Sequence, residues 1–408
     1  MLNPISCINL TGNRILINTD SMKTRLSWIG ILMLLVALPA WSDIKILHGP
    51  YLQNLGEREA TIVWISDKPS VAWLEMAPDD ASHFYAKERK KIFDTKIGIK
   101  ETSTVHAVKV SGLQPGTRYR YRVCVQEVLS HDGHEVVYGS MASTDVYGKE
   151  PLSFVTNDVN KNSVSFAMVN DIHGRNEVLE QMVKQCDLKK TDLFLFNGDM
   201  VSIANDQEQL FGGFMDKSVE LFAGSIPMYY CRGNHETRGP MAPDFQQYFN
   251  PKEKELFYMF RQGPVCFVVL DCGEDKPDSD VEYYGITAYD EYRTQQAEWL
   301  KTALKSDLYT QAPFKVIVCH MPPFGGWHGE LDIAEKFIPL LNEANPDVYL
   351  CGHLHQTIRK DAGEDGIRFP IIVNSNNSLL KADADHTQMN IRIYDLSGKE
   401  VDSLLIRK

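Results

Sequence analysis

Five short groups of polar residues have the composition of a metal-binding site. Each group follows an apolar run that is typical of a buried strand. Their carboxylate, imidazole and amide groups suit hard to borderline divalent cations such as Mn, Fe or Zn. Side chains just beyond strand ends of an α/β sheet meet in one crevice, so we predict that the groups lie together. In chain order they are Asp171-Ile172-His173, Gly198-Asp199, Gly233-Asn234-His235-Glu236, Cys319-His320 and Gly352-His353-Leu354-His355.

Taken one at a time, these groups have ordinary structural explanations. Asp171 could cap the following helix, because Asp is a favoured N-cap residue. His320 could be a hydrogen-bonded core histidine, and Asn234 could be a turn residue. His353 and His355 favour a metal more strongly, because alternate residues of an extended segment point to the same side. All five groups together, each after a strand, favour a joint metal site.

This order of groups resembles the calcineurin-like metallophosphoesterase superfamily, whose pattern is D-x-H, G-D, G-N-H-D/E, H and G-H-x-H. The resemblance extends over roughly residues 163–408. It implies two divalent metal ions, which could be Mn, Fe or Zn, and it implies that His235 lies beside them without binding. The implied ligands are Asp171, His173, Asp199 and His355 for one metal, and Asn234, His320, His353 and the shared Asp199 for the other.

The resemblance further implies a hydrolase of phosphate esters, in which a hydroxide bridging the two metals attacks phosphorus in line. Asp199 and His235 are then the expected catalytic residues. His235 would be the general acid, because imidazole titrates near the working pH. The alternative role of His235 is a hydrogen bond to a metal ligand. Glu236 would orient His235 or a nearby backbone group.

Three functional classes stay open at this stage. A phosphomonoesterase is favoured, and a phosphodiesterase is the alternative because the same metal core serves both reactions. A non-catalytic binding protein of the cell envelope is disfavoured, since such a protein has no need for a full set of metal ligands. Arg175, Trp327 and His328 are candidate substrate contacts, and each of them could equally be an ordinary surface residue. Residues 374–377 (NSNN) follow a late strand and could line the same cleft.

Two domains must position these groups. Residues 43–156 contain short alternating strands and no convincing helix, which predicts an antiparallel β-sandwich. Two of these strands are expected at 61–65 and 71–75, on either side of Asp67-Lys68-Pro69. The segment GLQPGTRYRYRV, residues 112–123, resembles the corner of a fibronectin type III domain, where a tyrosine ties the corner to the backbone. Residues 160–408 alternate strands and helices, which predicts an α/β domain, and the superfamily implies a β-sandwich flanked by helices.

A sandwich followed by this metal core is similar to the purple acid phosphatases, but two positions differ from their pattern. Those enzymes carry a tyrosine three residues after the bridging aspartate, where this chain has Ser202. Their first group lacks the second histidine, which is His173 here. We therefore expect an ordinary site for two metal ions and not an iron–tyrosinate centre.

The chain begins with a segment that has the features of a secretory signal peptide. An apolar run at 26–40 follows Lys23 and Arg25, and Pro39 lies near its end. We expect residues 1–42 to be an upstream extension and a signal peptide, with translation starting at Met22 and the mature chain starting near Asp43. The protein would be exported to the periplasm or secreted, with no membrane span after processing.

Net charge limits the classes of binding partner, and the positions of the cysteines bear on disulfide formation. The 408 residues carry a net charge of −12, which disfavours nucleic acid and anionic membranes as general partners. Seven cysteines follow the leader, and those in apolar runs are expected to be buried thiols rather than a disulfide framework. A phosphate ester is the expected partner, and the oligomeric state is not determined by the sequence.

Overall fold

The computed structural model describes residues 42–251, 253 and 255–408. The predicted upstream extension and signal peptide lie outside the described residues, apart from Ser42. Ile44–Lys408 form one compact unit. No helix in the described ranges is long and apolar enough to cross a membrane. The seven cysteines in these ranges are free thiols, and all but Cys186 are buried.

The first domain is built from antiparallel strands, and residues 42–155 contain no helix. Seven of its nine strands belong to one continuous hydrogen-bonded network, and β4 and β5 form a separate small hairpin. The prediction of an antiparallel sandwich is confirmed. The strands are β1 (Ile46–Gln53), β2 (Glu59–Pro78), β3 (Lys91–Phe93), β4 (Thr95–Lys96), β5 (Ile99–Lys100), β6 (Thr102–Ser111), β7 (Arg118–Asp132), β8 (Glu135–Ser143) and β9 (Leu152–Val155).

Strand β2 corrects one detail of the sequence analysis. Two strands were expected at 61–65 and 71–75, but the structure has a single strand, Glu59–Pro78. Its first half pairs with β1 and β6, and its second half pairs with β7 and β3. The register with β6 shifts between Ile65 and Ser70, so Pro69 lies at an irregularity, where a strand tolerates a missing N–H donor.

A tyrosine does tie the predicted corner of this domain to the backbone. The hydroxyl of Tyr119 accepts a hydrogen bond from the backbone N–H of Gln114 at 3.0 Å. Thr156 closes the same corner, since its hydroxyl donates to the Gln114 carbonyl at 2.6 Å.

The second domain contains two six-stranded sheets. Their orders are β12-β11-β10-β19-β20-β21 and β13-β14-β15-β16-β18-β17. Strands β10, β11 and β12 are parallel, and so are β14, β15, β16 and β18. The strands are β10 (Ser163–Val169), β11 (Leu193–Asn197), β12 (Met228–Cys231), β13 (Tyr258–Gln262), β14 (Val265–Leu270), β15 (Phe314–Cys319), β16 (Val348–Cys351), β17 (Ile358–Lys360), β18 (Ile371–Val373), β19 (Ser378–Asp385), β20 (Gln388–Asp395) and β21 (Glu400–Arg407).

Helices accompany both sheets, which confirms the predicted α/β class. The α-helices are α1 (Asn176–Val183), α2 (Gln207–Leu210), α3 (Asp216–Ser218), α4 (Tyr289–Ala303), α5 (Asp307–Thr310) and α6 (His328–Ala344). The π-helical turn Phe211–Met215 joins α2 to α3, and a second π-helical turn, Val219–Ala223, continues the same helical segment after α3. Short 3₁₀ helices lie at His235–Thr237, Ala242–Gln247, Val281–Tyr283 and Glu364–Gly366.

The two domains pack directly on each other. Buried apolar residues of the sandwich and of both sheets belong to one cluster. Tyr121 donates its buried hydroxyl to the Gly224 carbonyl at 2.7 Å, and Gln53 donates to the Met228 carbonyl at 3.1 Å. Because these polar groups are satisfied across the interface, the sandwich is a support for strand β12 and its neighbours.

Candidate metal centre

All five predicted groups lie at the carboxyl ends of strands β10, β11, β12, β15 and β16. These ends belong to both sheets, and the groups meet between them. Five residues of the groups have the left-handed backbone conformation that non-glycine residues rarely adopt. Such strain persists only where the surrounding structure enforces it, and it clusters at functional sites. The five residues are Asp171, His173, Asp199, His353 and His355, with φ between 50° and 69°.

The glycines of the motifs are required because the loops approach one another closely. A Cβ on Gly198 would lie 2.5 Å from Nδ1 of His320, and one on Gly352 would lie 2.7 Å from Oδ2 of Asp171. A Cβ on Gly233 would overlap the Asp199 carboxylate. Each glycine therefore leaves the space that a predicted ligand occupies.

The first predicted ligand set is brought together around Asp171. Its Oδ1 lies 3.0 Å from Nε2 of His355 and 3.9 Å from Nε2 of His173. The two imidazoles approach each other to 3.4 Å between their Nε2 atoms. One ligand atom from each of these three residues lies within 4.8 Å of the others, which is a spacing that a single cation can bridge.

The second set surrounds Asp199. Its Oδ2 lies 3.1 Å from Nε2 of His320, and Asp199, His320 and His353 form another group of ligand atoms within 4.8 Å. Nε2 of His320 is also 3.9 Å from Oδ1 of Asp171, so the two sets are adjacent. Asn234 is buried beside them, immediately before the 3₁₀ helix His235–Thr237.

The free ligand atoms of this cluster fit a pair of divalent cations. Oδ1 of Asp171, Oδ1 of Asn234 and Nε2 of His320 are buried and form no well-oriented hydrogen bond with the described residues. The polar atoms within 3.1 Å of Asp171 Oδ1 and His320 Nε2 belong to His355 and Asp199, which are themselves predicted ligands. Buried polar atoms are nearly always satisfied, so three such atoms in one place indicate a missing ligand. All three belong to residues predicted to bind metal, and their donor types are those of Mn, Fe or Zn sites.

The other atom of each ligand is held by the protein. Oδ2 of Asp171 accepts from the Asn170 amide at 2.7 Å and from the backbone N–H of His353 at 3.0 Å. Oδ1 of Asp199 accepts from the backbone N–H of His235 at 3.0 Å. Nδ1 of His320 lies 2.7 Å from the carbonyl of residue 197, which leaves Nε2 as the nitrogen that faces the cluster. These partners orient the ligands, as outer contacts do in metal sites.

Charges within the cluster shift the pKa values of its imidazoles in opposite directions. Burial by itself lowers the pKa of His320, but the carboxylates of Asp199 and Asp171 outweigh burial and raise that pKa to about 10. Burial and the charge of His320 lower the pKa of His353 to about 4. The two carboxylates thus make the pocket favourable for positive charge, as a pair of cations requires.

Glu236 holds the loop that carries Asp199. The sequence analysis assigned it to His235 or to a backbone group, and the structure shows the backbone contacts. Its buried carboxylate accepts hydrogen bonds from four backbone N–H groups and from one hydroxyl. The donors are the N–H groups of Asp199, Met200, Val201 and Gly233, and the hydroxyl of Tyr230.

His235 lies beside the cluster and is oriented by Ser202. Nδ1 of His235 lies 2.8 Å from the Ser202 carbonyl, so Nδ1 carries a proton and Nε2 faces the cluster. Nε2 is 3.8 Å from Oδ2 of Asp199. The Ser202 hydroxyl is 3.3 Å from Nδ1 of His173. His235 also offers an atom within 4.8 Å of His173 and Asp199, so its role beside the metals, without binding them, stays a prediction.

The predicted substrate contacts have different positions from one another. The guanidinium of Arg175 donates to carbonyl groups of residues 171, 172 and 376 and to Asn377, and so ties two site loops together. Its role as a substrate contact stays a prediction. Nε2 of His328 lies 2.7 Å from Oδ1 of Asp290 in α4, so this nitrogen already has a protein partner. Trp327 is 53% exposed and immediately precedes α6. Its role as a side of the substrate cleft stays a prediction.

The segment 374–377 supports the site indirectly, through Asn170. The buried Asn374 amide donates to Oδ1 of Asn170 at 2.7 Å, and Asn170 in turn holds Asp171. This segment follows strand β18, so it shares the edge at which the other groups meet.

Two residues near the site were missed by the sequence analysis. Arg238 lies three residues after His235, and its Nη1 is 3.4 Å from Nε2 of that histidine. Glu330 is buried in the first turn of α6, and its Oε1 is 3.8 Å from Nε2 of His353. Arg238 could have been noticed in the sequence, because it lies about one helical turn after a metal motif. No local sequence feature indicated Glu330.

Comparisons with known proteins agree with this geometry. Residues 164–357 match the family model for calcineurin-like phosphoesterases, and residues 49–136 match that of the purple acid phosphatase N-terminal domain. The second domain is thus similar to the calcineurin-like phosphoesterases over most of its length. The first domain is similar to the N-terminal domain of purple acid phosphatases.

Individual relatives are distant. The chain is 25% identical to "Purple acid phosphatase 21" of Arabidopsis thaliana over 296 residues, which is 66% of this chain and 58% of that protein. It spans a little over half the length of the curated relatives it matches.

Two solved structures share the fold. The purple acid phosphatase PPD1 from yellow lupin (Lupinus luteus) seeds has a TM-score of 0.63 at 15% identity, covering 88% of this chain and 74% of that one. PhoD has a TM-score of 0.60 at 14% identity, covering 90% of this chain and 94% of that one.

Proposed function

We propose that this protein is an exported phosphatase that hydrolyses phosphate monoesters with the help of two divalent metal ions. One observation carries the proposal. Three buried ligand atoms, on Asp171, Asn234 and His320, form no hydrogen bond with the described residues, and Asp171 and His320 lie among the other predicted ligands. A structural core has no use for three unsatisfied polar atoms in one place, because each costs about 1–3 kcal/mol.

The residues that would hold the ions follow from the two ligand sets. Asp171, His173 and His355 would hold one ion, and His320, His353 and Asn234 would hold the other, with Asp199 shared. When bound, two such ions supply a water that is acidic near neutral pH and positive charge for the phosphoryl oxygens. The ions could be Mn, Fe or Zn.

The side chains contribute orientation and a proton. In hydrolysis a water oxygen forms a new bond to phosphorus, and the bond from phosphorus to the ester oxygen breaks. His235 would deliver a proton from Nε2 to that leaving oxygen, because the Ser202 carbonyl holds its other nitrogen. Glu236 would keep Asp199 in place through the backbone of its loop.

The preference for monoesters is supported by the printed name of the Arabidopsis relative, a purple acid phosphatase. Phosphodiesters are the competing substrate class. Export rests on the leader at residues 22–42, and N-terminal sequencing of the mature protein tests it. A first residue near Asp43 supports export, and an intact leader argues against it.

The test of activity compares chromogenic monoesters and diesters with Mn, Zn or Fe, before and after chelation. We expect metal-dependent turnover that is higher for the monoester. The variant Asp199→Asn should lose at least one metal ion by elemental analysis and nearly all activity. Asp383→Asn, on an exposed part of β19, is the matched control. Absence of turnover with every metal would refute the proposal and favour a binding protein.

A further inference from the structure

Arg238 lies at the edge of the metal-ligand cluster. Its Nη1 is 3.4 Å from Nε2 and 3.5 Å from Nδ1 of His235. His235 in turn touches the cluster, since its Nε2 is 3.8 Å from Oδ2 of Asp199 and its ring is 4.7 Å from that of His173. The Arg238 side chain is 30% exposed, so a substrate can reach it.

Glu274 fixes this guanidinium in one orientation. Nε and Nη2 of Arg238 each donate to one oxygen of the Glu274 carboxylate at 2.9 Å. This side-on pair uses one edge of the guanidinium and leaves Nη1 at the opposite end. Glu274 is itself buried and accepts from the hydroxyl groups of Thr237 at 2.8 Å and Tyr283 at 3.1 Å. Arg238 is therefore held rigidly with Nη1 directed toward His235.

A fixed guanidinium at this place matches the chemistry of a phosphoryl group. Arginine presents N–H donors in a planar fork that suits phosphate oxygens. A monoester carries up to two negative charges on three free oxygens, whereas a diester carries one charge on two. A cation placed beside His235, in addition to the metal ions, therefore favours the monoester, in which a third oxygen is free to accept from Nη1.

We propose that Arg238 binds a free phosphoryl oxygen of the substrate through Nη1 and thereby sets the preference for monoesters over diesters. Glu274 acts through Arg238 as its positioning residue. The inference rests on the proposed phosphatase function, and it adds a substrate-binding residue outside the predicted ligand set.

The experiment measures kcat/KM for 4-nitrophenyl phosphate and bis(4-nitrophenyl) phosphate, which share one leaving group. A hydrogen bond to a charged group contributes about 1.5–3 kcal/mol, which corresponds to roughly a 10- to 150-fold change. Arg238→Gln should therefore lower kcat/KM by about that factor for the monoester and by less than about threefold for the diester. Arg238→Lys, which keeps the charge without the fork, should fall between Arg238→Gln and the wild type.

Two controls separate binding from folding. Arg392 lies on strand β20 and pairs with Asp383 of β19. Arg392→Gln should leave kcat/KM for both substrates unchanged. Metal content and the thermal midpoint should be the same in Arg238→Gln, Arg238→Lys and the wild type. Glu274→Gln should weaken monoester turnover through KM more than through kcat, because it loosens Arg238 without removing it. An equal loss on both esters, or no loss on the monoester, would overturn the inference.

Binding of inorganic phosphate to the Mn-loaded protein, measured by calorimetry, tests the same contact without turnover. The dissociation constant should rise at least about tenfold in Arg238→Gln relative to the wild type. If the wild type hydrolyses neither ester but binds phosphate through Arg238, the proposed function fails and the contact stands. Equal phosphate affinity in both proteins would refute the contact itself.

Discussion

Replacing Glu236 by Gln should release metal and lower stability, although Glu236 is not a predicted ligand. Its carboxylate is buried, and four backbone N–H groups and one hydroxyl donate to it. Burial and the Asp199 carboxylate raise the pKa of Glu236, while the five donors that surround it stabilise the ionised form. Glutamine keeps the size of the side chain but turns one acceptor into a donor.

The magnitude follows from the number of donors on each oxygen. Oε2 accepts from the N–H groups of Asp199 and Gly233, and Oε1 accepts from Met200, Val201 and the hydroxyl of Tyr230. Whichever oxygen becomes an amide nitrogen, at least two buried donors lose their acceptor. At about 1–3 kcal/mol for each unsatisfied donor, the loss of unfolding free energy is about 2–6 kcal/mol. That is a large part of the stability of an ordinary domain.

The assay is urea unfolding of the metal-free protein together with elemental analysis of the metal-loaded protein. Metal is left out of the unfolding measurement because a bound ion would itself stabilise the folded state. Tyr230→Phe is the matched control, since it removes one donor and leaves the backbone contacts of Glu236 intact. We expect it to lose about 1.5–3 kcal/mol and to keep its metal.

A Glu236→Gln protein with wild-type metal content and an unfolding free energy within about 0.5 kcal/mol of the wild type would refute this reasoning. The loop that carries Asp199 would then be held by contacts other than those of Glu236. Metal loss without a change in stability would show that the carboxylate acts on the ions by charge alone.

Three further predictions concern His235, Ser202 and His106. His235→Ala should slow hydrolysis of alkyl phosphates by about 10²–10⁴-fold, and nitrophenyl phosphate much less, because a poor leaving group needs the proton; a uniform loss would favour a binding role. With Ser202 in place of a ligand tyrosine, iron-loaded protein should show no strong visible charge-transfer band, and a purple preparation would contradict this. Burial lowers the pKa of His106 to about 4, below its ordinary value of 6.5, so the unfolded chain binds the extra proton. Stability from this residue is therefore complete above pH 6.5 and lost between pH 6.5 and 4, by about 3 kcal/mol. Urea unfolding of the wild type and of His106→Gln at both pH values measures this loss. An unfolding free energy with the same pH dependence in both proteins would count against the prediction.

Features that depend only on residues close together in the sequence could be predicted from the sequence. The apolar runs before Asp171, Asp199 and His320 were recognisable as strands, because a buried parallel strand needs side chains that are apolar on both faces. The ligand groups follow directly, and glycines beside them signal the sharp turns that present a side chain. The tyrosine corner at Tyr119 is local in the same way. His353 and His355 reach the site from a bend with left-handed backbone, and not from the extended segment that their alternation predicted.

Contacts between distant parts of the chain were decided only by the tertiary structure. The continuous strand Glu59–Pro78 exists because different partners pair with its two halves, so an apparent turn becomes an irregularity. Arg175 is hydrogen-bonded to loop carbonyls, and Arg238 is oriented by Glu274, which lies 36 positions away. Ser202 contacts both His173 and His235. Residue type and local spacing determine which atoms can bind a metal or a phosphate. The packing of two sheets determines which of those atoms are already satisfied by the protein, and only the remaining ones are free for chemistry.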